Sequence, residues 1–239
     1  MQDRTKRDRP LLAVLIDADN VPAKHAADIM REVASIGEPA LRRVYGDWSN
    51  PHIKAWKEPI HTLGLVAHQE TSNSTGKNAS DIGLVIDAMD ILHSGKFDAF
   101  VIVSSDSDFT ALVNRLREDG RDVIGIGEAK TNAALRNVYN RFILVENLRG
   151  ESDEDEAPEQ SQSKADMNQA YQMVRNAMDR CDTEDDWISL AAIGLNLRAT
   201  HPDFDPRTYG FAKLSGLVKA MPRLQFANKN NDPRVRIKD

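Results

Sequence analysis

The sequence predicts an α/β protein: a three-layer α/β/α sandwich around a mainly parallel sheet, then a smaller helical domain closed by a strand pair. Three observations carry this. Residues 11–148 alternate short apolar, β-branched runs with stretches of helical period, and helices interposed between strands imply parallel pairing through right-handed crossovers. Residues 150–165 hold six acids against one lysine, with no aromatic or β-branched residue, a composition that cannot bury a core. Residues 166–239 give helical spacings followed by two alternating strands across an Asn-rich turn.

In order, the expected strands are 11–17, 41–46, 64–69, 98–104, 122–127 and 142–145, with helices at 22–36, about 51–63, 80–94, 107–119 and 131–138. The first strand, Leu11 to Ile16, is a continuous apolar run, as a strand buried on both faces requires. Asp17, Ala18, Asp19 and Asn20 follow it, and Pro22 opens a helix. The stretch around which the domain is organised is 99–120. Phe100 to Val103 read as a buried strand. Phe109, Leu112, Val113 and Leu116 then take helical spacing, and Gly120 is the stop signal. Between strand and helix lie Ser104, Ser105, Asp106, Ser107 and Asp108. In α/β sheets ligands bind beyond the carboxyl ends of the strands. Two strands of one sheet, each followed by an Asp-x-Asp turn, would gather carboxylates at one edge. These are hard oxygen ligands of the kind Mg²⁺ or Mn²⁺ takes.

A third acidic element is the helix entered through TSNSTGKNASD. Ser80 is the expected N-cap, which places Asp81 in the first turn. Ile82, Val85, Ile86 and Met89 are the expected core stripe. Asp87, six residues beyond Asp81, points about 120° away from it, so Asp81 is the acid assigned to the site and Asp90 is a solvated one.

LLAVLIDADNV, GKNASDIGLVIDAMD and FVIVSSDSDFTALVNRLREDGRDVIGIG, in that order, resemble the NYN family, a branch of the PIN-like nucleases that includes the bacterial LabA-like proteins. The resemblance implies a PIN-like fold and Mg²⁺- or Mn²⁺-dependent cleavage of RNA. Its acidic site falls on Asp17, Asp81, Asp106 and Asp108, with Asn20 at the polar position after the first strand and Ser105 supporting. The residues agree with that chemistry. No Cys lies near the acids and no His lies in the three motifs, so a water activated by carboxylate-held metal is the expected nucleophile. Asp17 and Asp106 are the expected direct ligands, with Asp81 and Asp108 orienting water. Replacing Asp17 or Asp106 with Asn is expected to leave the fold intact while removing activity.

Weaker signals surround these motifs. Trp48, His52, Lys54, Trp56 and Lys57 interleave aromatic and basic character, as base-stacking surfaces do, although Trp56 also suits a core position. Lys77 and Asn78 stand in a Ser/Thr/Gly loop where a phosphate could be held. His25, His61, His68 and His93 are isolated and read as ordinary surface or core residues.

In the C-terminal part, Tyr171, Val174, Ala177 and Met178 fit one helix, Leu190, Ile193 and Leu197 a second, and Phe211, Leu214, Leu217 and Val218 a third. Leu224–Phe226 and Val235–Ile237 alternate as strands, giving a winged-helix pattern. HPDFDPRTYGFAKLSGLV resembles the LOTUS (OST-HTH) domain, over about 168–238. That likeness implies RNA binding, with Arg207, Tyr209, Lys213 and Lys219 as exposed contacts. The expected domains are 1–149, an acidic tether at 150–165 and 166–239. A flexible tether of that length spans roughly 20–25 Å on average.

The overall charge of −6 says little about partners, because the tether contributes −5 of it. Cys181 is the lone cysteine, which excludes an intramolecular disulfide and a Cys-rich zinc site. No apolar run has the length of a signal or membrane segment, so a cytoplasmic protein without membrane partners is expected. The rival enzyme reading is a haloacid-dehalogenase-like phosphatase with Asp17 as nucleophile and Asp19 as acid/base. Asn20 stands where that motif has Thr or Val. The non-enzymatic alternative is an RNA-binding adaptor. RNA substrate, cleavage mode, metal count and oligomeric state stay open.

Overall fold

The structure, a computed structural model, describes residues 8–69, 79–148, 164–181, 186–229 and 232–238. Lys77, Asn78 and residues 150–163 of the expected tether lie outside the described residues. The chain divides into two compact units, Met1–Gly150 and Glu151–Asp239.

In the first unit the strands are β1 (Leu11–Asp17), β2 (Glu38–Gly46), β3 (Val66–Gln69), β4 (Ala99–Val103), β5 (Asp122–Gly127) and β6 (Arg141–Leu144). The helices are α1 (Ala26–Ile36), α2 (Lys57–Thr62), α3 (Ala79–His93), α4 (Thr110–Glu118) and α5 (Ala133–Val138), with 3-10 turns leading into several of them. The strands form one sheet in the order β3-β2-β1-β4-β5-β6, and every pairing is parallel. Successive residues of a strand point to opposite faces, and the core follows that alternation. Leu12, Val14, Ile16, Val101 and Val103 face α1 and the turn carrying Trp56. Ala13, Leu15, Phe100 and Ile102 face α3, α4 and α5.

Two sequence expectations shift. β2 begins at Glu38, three residues early. The pairing register slips between Leu12 and Ala13, opposite Pro39 and Leu41. Proline donates no ladder hydrogen bond and is tolerated at such irregularities, which is why the sequence pattern missed this part of the strand. In α3 the core stripe is Leu84, Ala88, Ile91 and Leu92. Val85 and Met89 pack only at its margin, and Ile82 and Ile86 are 61% and 59% exposed. This helix is apolar on more than one side, so periodicity alone picked the wrong face.

The second unit has α6 (Lys164–Met178), β7 (Ile188–Ser189), α7 (Leu190–Thr200), α8 (Leu214–Lys219), β8 (Leu224–Lys229) and β9 (Asp232–Ile237). The strands pair antiparallel in the order β7-β9-β8. Val174, Ile193, Leu197, Leu217, Val218 and Val235, each at most 1% exposed, form its core. The first two helical spacings and the strand pair stand where the sequence put them. The third helix starts only at Leu214, leaving Phe211 in the bend before it, packed against the core, and β7 is an added third strand.

Candidate active site

The strand order reverses between β1 and β4, the strands that end in Asp-x-Asp turns. At such a switch point the two following loops diverge to opposite faces and leave a crevice at the carboxyl edge. Ile16 pairs with Val103, so Asp17 and Ser104 meet at the floor of that crevice.

Asp17 is 1% exposed and both its oxygens are engaged. Oδ1 accepts from the backbone N–H groups of Asp19 (3.1 Å) and Asn20 (3.3 Å). Oδ2 accepts from the Asn20 side-chain amide (2.7 Å) and the Ser104 hydroxyl (2.8 Å). Burial nevertheless prevails over these bonds and, with the Asp19 charge, raises the Asp17 carboxyl above the usual carboxylate range. The fully buried Ser104 Oγ also accepts from the backbone N–H of Asp106 at 3.1 Å, so one hydroxyl couples the two turns. A Cβ on Gly127 would stand 2.8 Å from the Ser104 carbonyl oxygen and 2.9 Å from the Phe142 ring. Only glycine lets β5 approach that closely.

In the second turn, Asp106 Oδ1 accepts from the backbone N–H of Asp108 at 2.9 Å, capping the 3-10 turn that enters α4. Asp106 is half-buried, and Asp108, Asp19 and Asn20 are exposed. Ser105, expected to support the acids, instead accepts from the backbone N–H of Glu128 at 2.9 Å and ties the β5–α5 loop to this edge.

α3 starts at Ala79, one residue before the expected Ser80 cap, and Asp81 still falls in its first turn. Burial is the main reason its carboxyl is pushed up to about 6. The charges of Asp17, Asp106, Asp19 and Asp108 add to the effect, in that order. Asp81 thus feels every acid of the two turns. Asp87 faces elsewhere, as its spacing requires: its carboxylate is bonded to the Arg43 guanidinium and the Tyr45 hydroxyl. The pair Asp17 and Tyr45 closes the β1–β2 register, so this contact fixes the rotation of α3 against β2, the strand beside the one that carries Asp17. Asp90 is exposed.

Among the described residues no three His, Cys, Asp or Glu side chains stand close enough to hold an ion by themselves. The donor set nonetheless suits a hard cation. All the donors are oxygens, their charges repel one another, and Mg²⁺ commonly takes one or two carboxylates and keeps its remaining waters. The exposed Asn20 amide is the donor on Asp17 that an arriving cation would displace. At the rim, the Trp48 indole N–H donates to the His68 carbonyl at 2.8 Å, and His68 stacks on Tyr45 with centroids 5.1 Å apart. Trp56, weighed above as a base-stacking residue, is core: it is 1% exposed and its indole N–H donates to the Val21 carbonyl.

The NYN domain profile matches residues 11–146, the whole of this sheet and its crevice. The chain belongs to the NYN family. An OST-HTH/LOTUS domain follows at 162–234, and the six-stranded parallel sheet flanked by helices is the PIN-like fold that the NYN resemblance implied. The chain is 25% identical over 148 residues to an uncharacterized protein of Methanocaldococcus jannaschii, covering 59% of this chain and 58% of that protein; it thus spans little more than half of that relative's length. A solved structure of a protein of unknown function from Vibrio parahaemolyticus aligns with TM-score 0.49 and 19% identity, covering 59% of this chain and 94% of that one. The NYN match displaces the phosphatase reading.

In the LOTUS domain two expected contacts change character. Tyr209 is 8% exposed; it packs in the core beside Phe204, and its hydroxyl lies 3.8 Å from Met173 sulfur. The Arg207 guanidinium is held by Asp205, with Nη2–Oδ2 at 2.6 Å. Lys213 and Lys219 are exposed, as expected, and Lys219 lies over the Phe226 ring at 4.5 Å. Sequence reading gave no role to Ser104, whose hydroxyl is silent as a motif. Asp19 it counted among the carboxylates of the two Asp-x-Asp turns and as the acid/base of the phosphatase reading, but not among the assigned site acids.

Proposed function

We propose that this protein is a divalent-metal-dependent ribonuclease whose N-terminal part, residues 1–149, cuts RNA and whose C-terminal part, 166–239, binds it, joined through 150–165. The observation that supports this best is the junction of β1 and β4, where two Asp-x-Asp turns meet at a strand-order reversal beneath Asp81. A Mg²⁺ or Mn²⁺ ion held there by Asp17 and Asp106 would neutralise phosphate charge and lower the pKa of a coordinated water.

The chain's own residues do the rest. Asp17 and Asp106 are the proposed ion ligands, set in place by Ser104 and by the Asp108 backbone. Asp81, with its carboxyl at about 6, and Asp108 orient the attacking water and take up its proton. Asp87, Arg43 and Tyr45 hold α3 so that Asp81 faces the turns. Lys213 and Lys219 are proposed RNA contacts in the second part, and Lys77 in the first.

The test is incubation of wild type and Asp106→Asn with mixed RNAs, with and without Mn²⁺. Cleavage products are expected only from wild type with Mn²⁺. Cleavage by both proteins, or cleavage in EDTA, refutes the assignment. Metal-independent RNA binding without any cleavage would make the chain an adaptor.

A further inference from the structure

We propose that the outer face of the β7-β9-β8 sheet, built around Trp187 and Arg236, holds a segment of single-stranded RNA. This rests on the reading of the C-terminal unit as RNA-binding and names the surface responsible. The register fixes which side chains share the face. Arg236 is opposite Gln225, and Arg234 is opposite both Ala227 and Ser189. The residues between them, Val235 and Phe226, are a pair on the other face: Val235 is 0% exposed and Phe226 packs half-buried against the core. Opposed residues of an antiparallel pair point the same way, so Gln225, Ala227, Arg234, Arg236 and Ser189 point outward together.

Trp187, just ahead of β7, is half-buried, yet among the described residues it is not part of the core of this unit. Arg236 stacks on it instead, 4.9 Å from the ring, with Nε–H donating to Gln225 Oε1 at 2.7 Å. A tryptophan that does not serve the core, kept planar beside a guanidinium held in place, offers what single-stranded nucleic acid binds: a stacking surface and a cation for the phosphate. Ala227 keeps the middle of the face low. Arg234, held at Nε by Asp232 at 2.9 Å, extends the cationic row.

Charge points to a polyanion. Residues 219–239 carry six Lys and Arg against two Asp, whereas 166–218 carry five against eight acids. The basic excess of the unit is therefore gathered in its C-terminal stretch, with Lys229, Arg234 and Arg236 against Asp232 on the strands themselves. The sequence expectation had instead favoured 207–219, where Arg207 is tied to Asp205 and Tyr209 is buried.

The experiment uses the full chain carrying Asp106→Asn in EDTA, so that RNA stays intact, and measures anisotropy of a labelled single-stranded RNA over a salt series. Trp187→Ala should weaken binding about tenfold or more, and Trp187→Phe should restore most of it. Arg236→Gln should weaken binding and lower the salt slope by about 0.7. Thermal melting confirms that each variant is folded. Folded Trp187→Ala and Arg236→Gln variants that bind as tightly as the parent overturn the proposal, as does a parent that binds a polyglutamate peptide but no RNA. A wild type that never cuts RNA while Trp187→Ala loses affinity would sink the nuclease reading and leave this one standing.

Discussion

Replacing Asp17 with Asn should separate structure from chemistry at the crevice. Asp17 is an acceptor for four donors, two at each oxygen. Asparagine keeps one oxygen and turns the other into an NH₂ group. Whichever way the amide lies, that group faces two N–H or O–H donors. The Asn20 side chain is exposed and can swing away, and Ser104 can rotate, at the expense of its bond to Asp17. Losing two bonds to a charged acceptor costs about 1.5–3 kcal/mol each, before compensation. Removing a buried charge whose pKa is already raised by burial returns part of that. A net loss of about 1–3 kcal/mol results, which lowers the melting temperature by roughly 3–10 °C for a domain of this size. Asp106→Asn is the internal comparison. Its Oδ1 serves one backbone N–H, which an amide oxygen also caps, and it loses a repelling charge, so it should melt within about 2 °C of wild type. The assay is differential scanning calorimetry of both variants in EDTA, and both should be inactive. Equal melting temperatures for Asp17→Asn and wild type would refute the claim that the Asp17 bonds hold the mouth of β1 to β4.

Asp81 carries a pH signature. Its folded value of about 6 lies above the ordinary 3.8, so its contribution favours the fold at low pH and is lost as pH rises through 6. Between pH 4.5 and 7.5 in EDTA, Asp81→Asn should flatten the fall in melting temperature seen in wild type. Because a cation prefers the ionised acid, Mn²⁺ should raise the wild-type melting temperature more at pH 7 than at pH 5.5, and Asp106→Asn should abolish the increment. Asp87→Ala leaves Arg43 and the Tyr45 hydroxyl without their shared acceptor and should cost about 2–4 kcal/mol in a urea melt; a loss under about 0.5 kcal/mol would remove this contact as the α3 anchor. Truncation after residue 149 should weaken RNA binding and its salt dependence while leaving the cleavage rate at saturating RNA within about twofold, since the proposed acids are untouched.

Much of this was legible in the sequence because its strongest signals were local. The apolar run 11–16 and the change of period at Phe109 specify β1, β4 and α4 without tertiary information, and Asp17 and Asp106 are placed by where those runs end. What escaped depended on contacts. The buried face of α3 is chosen by the sheet it meets, and Ile82 looks as good a core residue as Leu84 until that contact exists. Tyr209 reads as an RNA contact until Met173 and Phe204 enclose it. Ser104 bears no chemical mark, and its role follows only from standing opposite Asp17 once β1 and β4 pair.

That pairing has a consequence for how the chain comes into being. Asp17 and Ser104 are 87 residues apart, and β1 occupies the middle of the sheet between β2 and β4. Parallel neighbours so distant must close a long loop before any contact rewards them, which makes such sheets slow to form. A polypeptide emerging from the ribosome presents β1, β2 and β3 first. It can pair those three, and Asp81 follows on α3, but Asp106, Asp108 and the Ser104 hydroxyl arrive only with the turn after β4. A half-made chain thus holds Asp17 without its partner across the crevice and lacks Asp106 altogether. The acidic crevice is completed only once about two thirds of the first unit has left the ribosome.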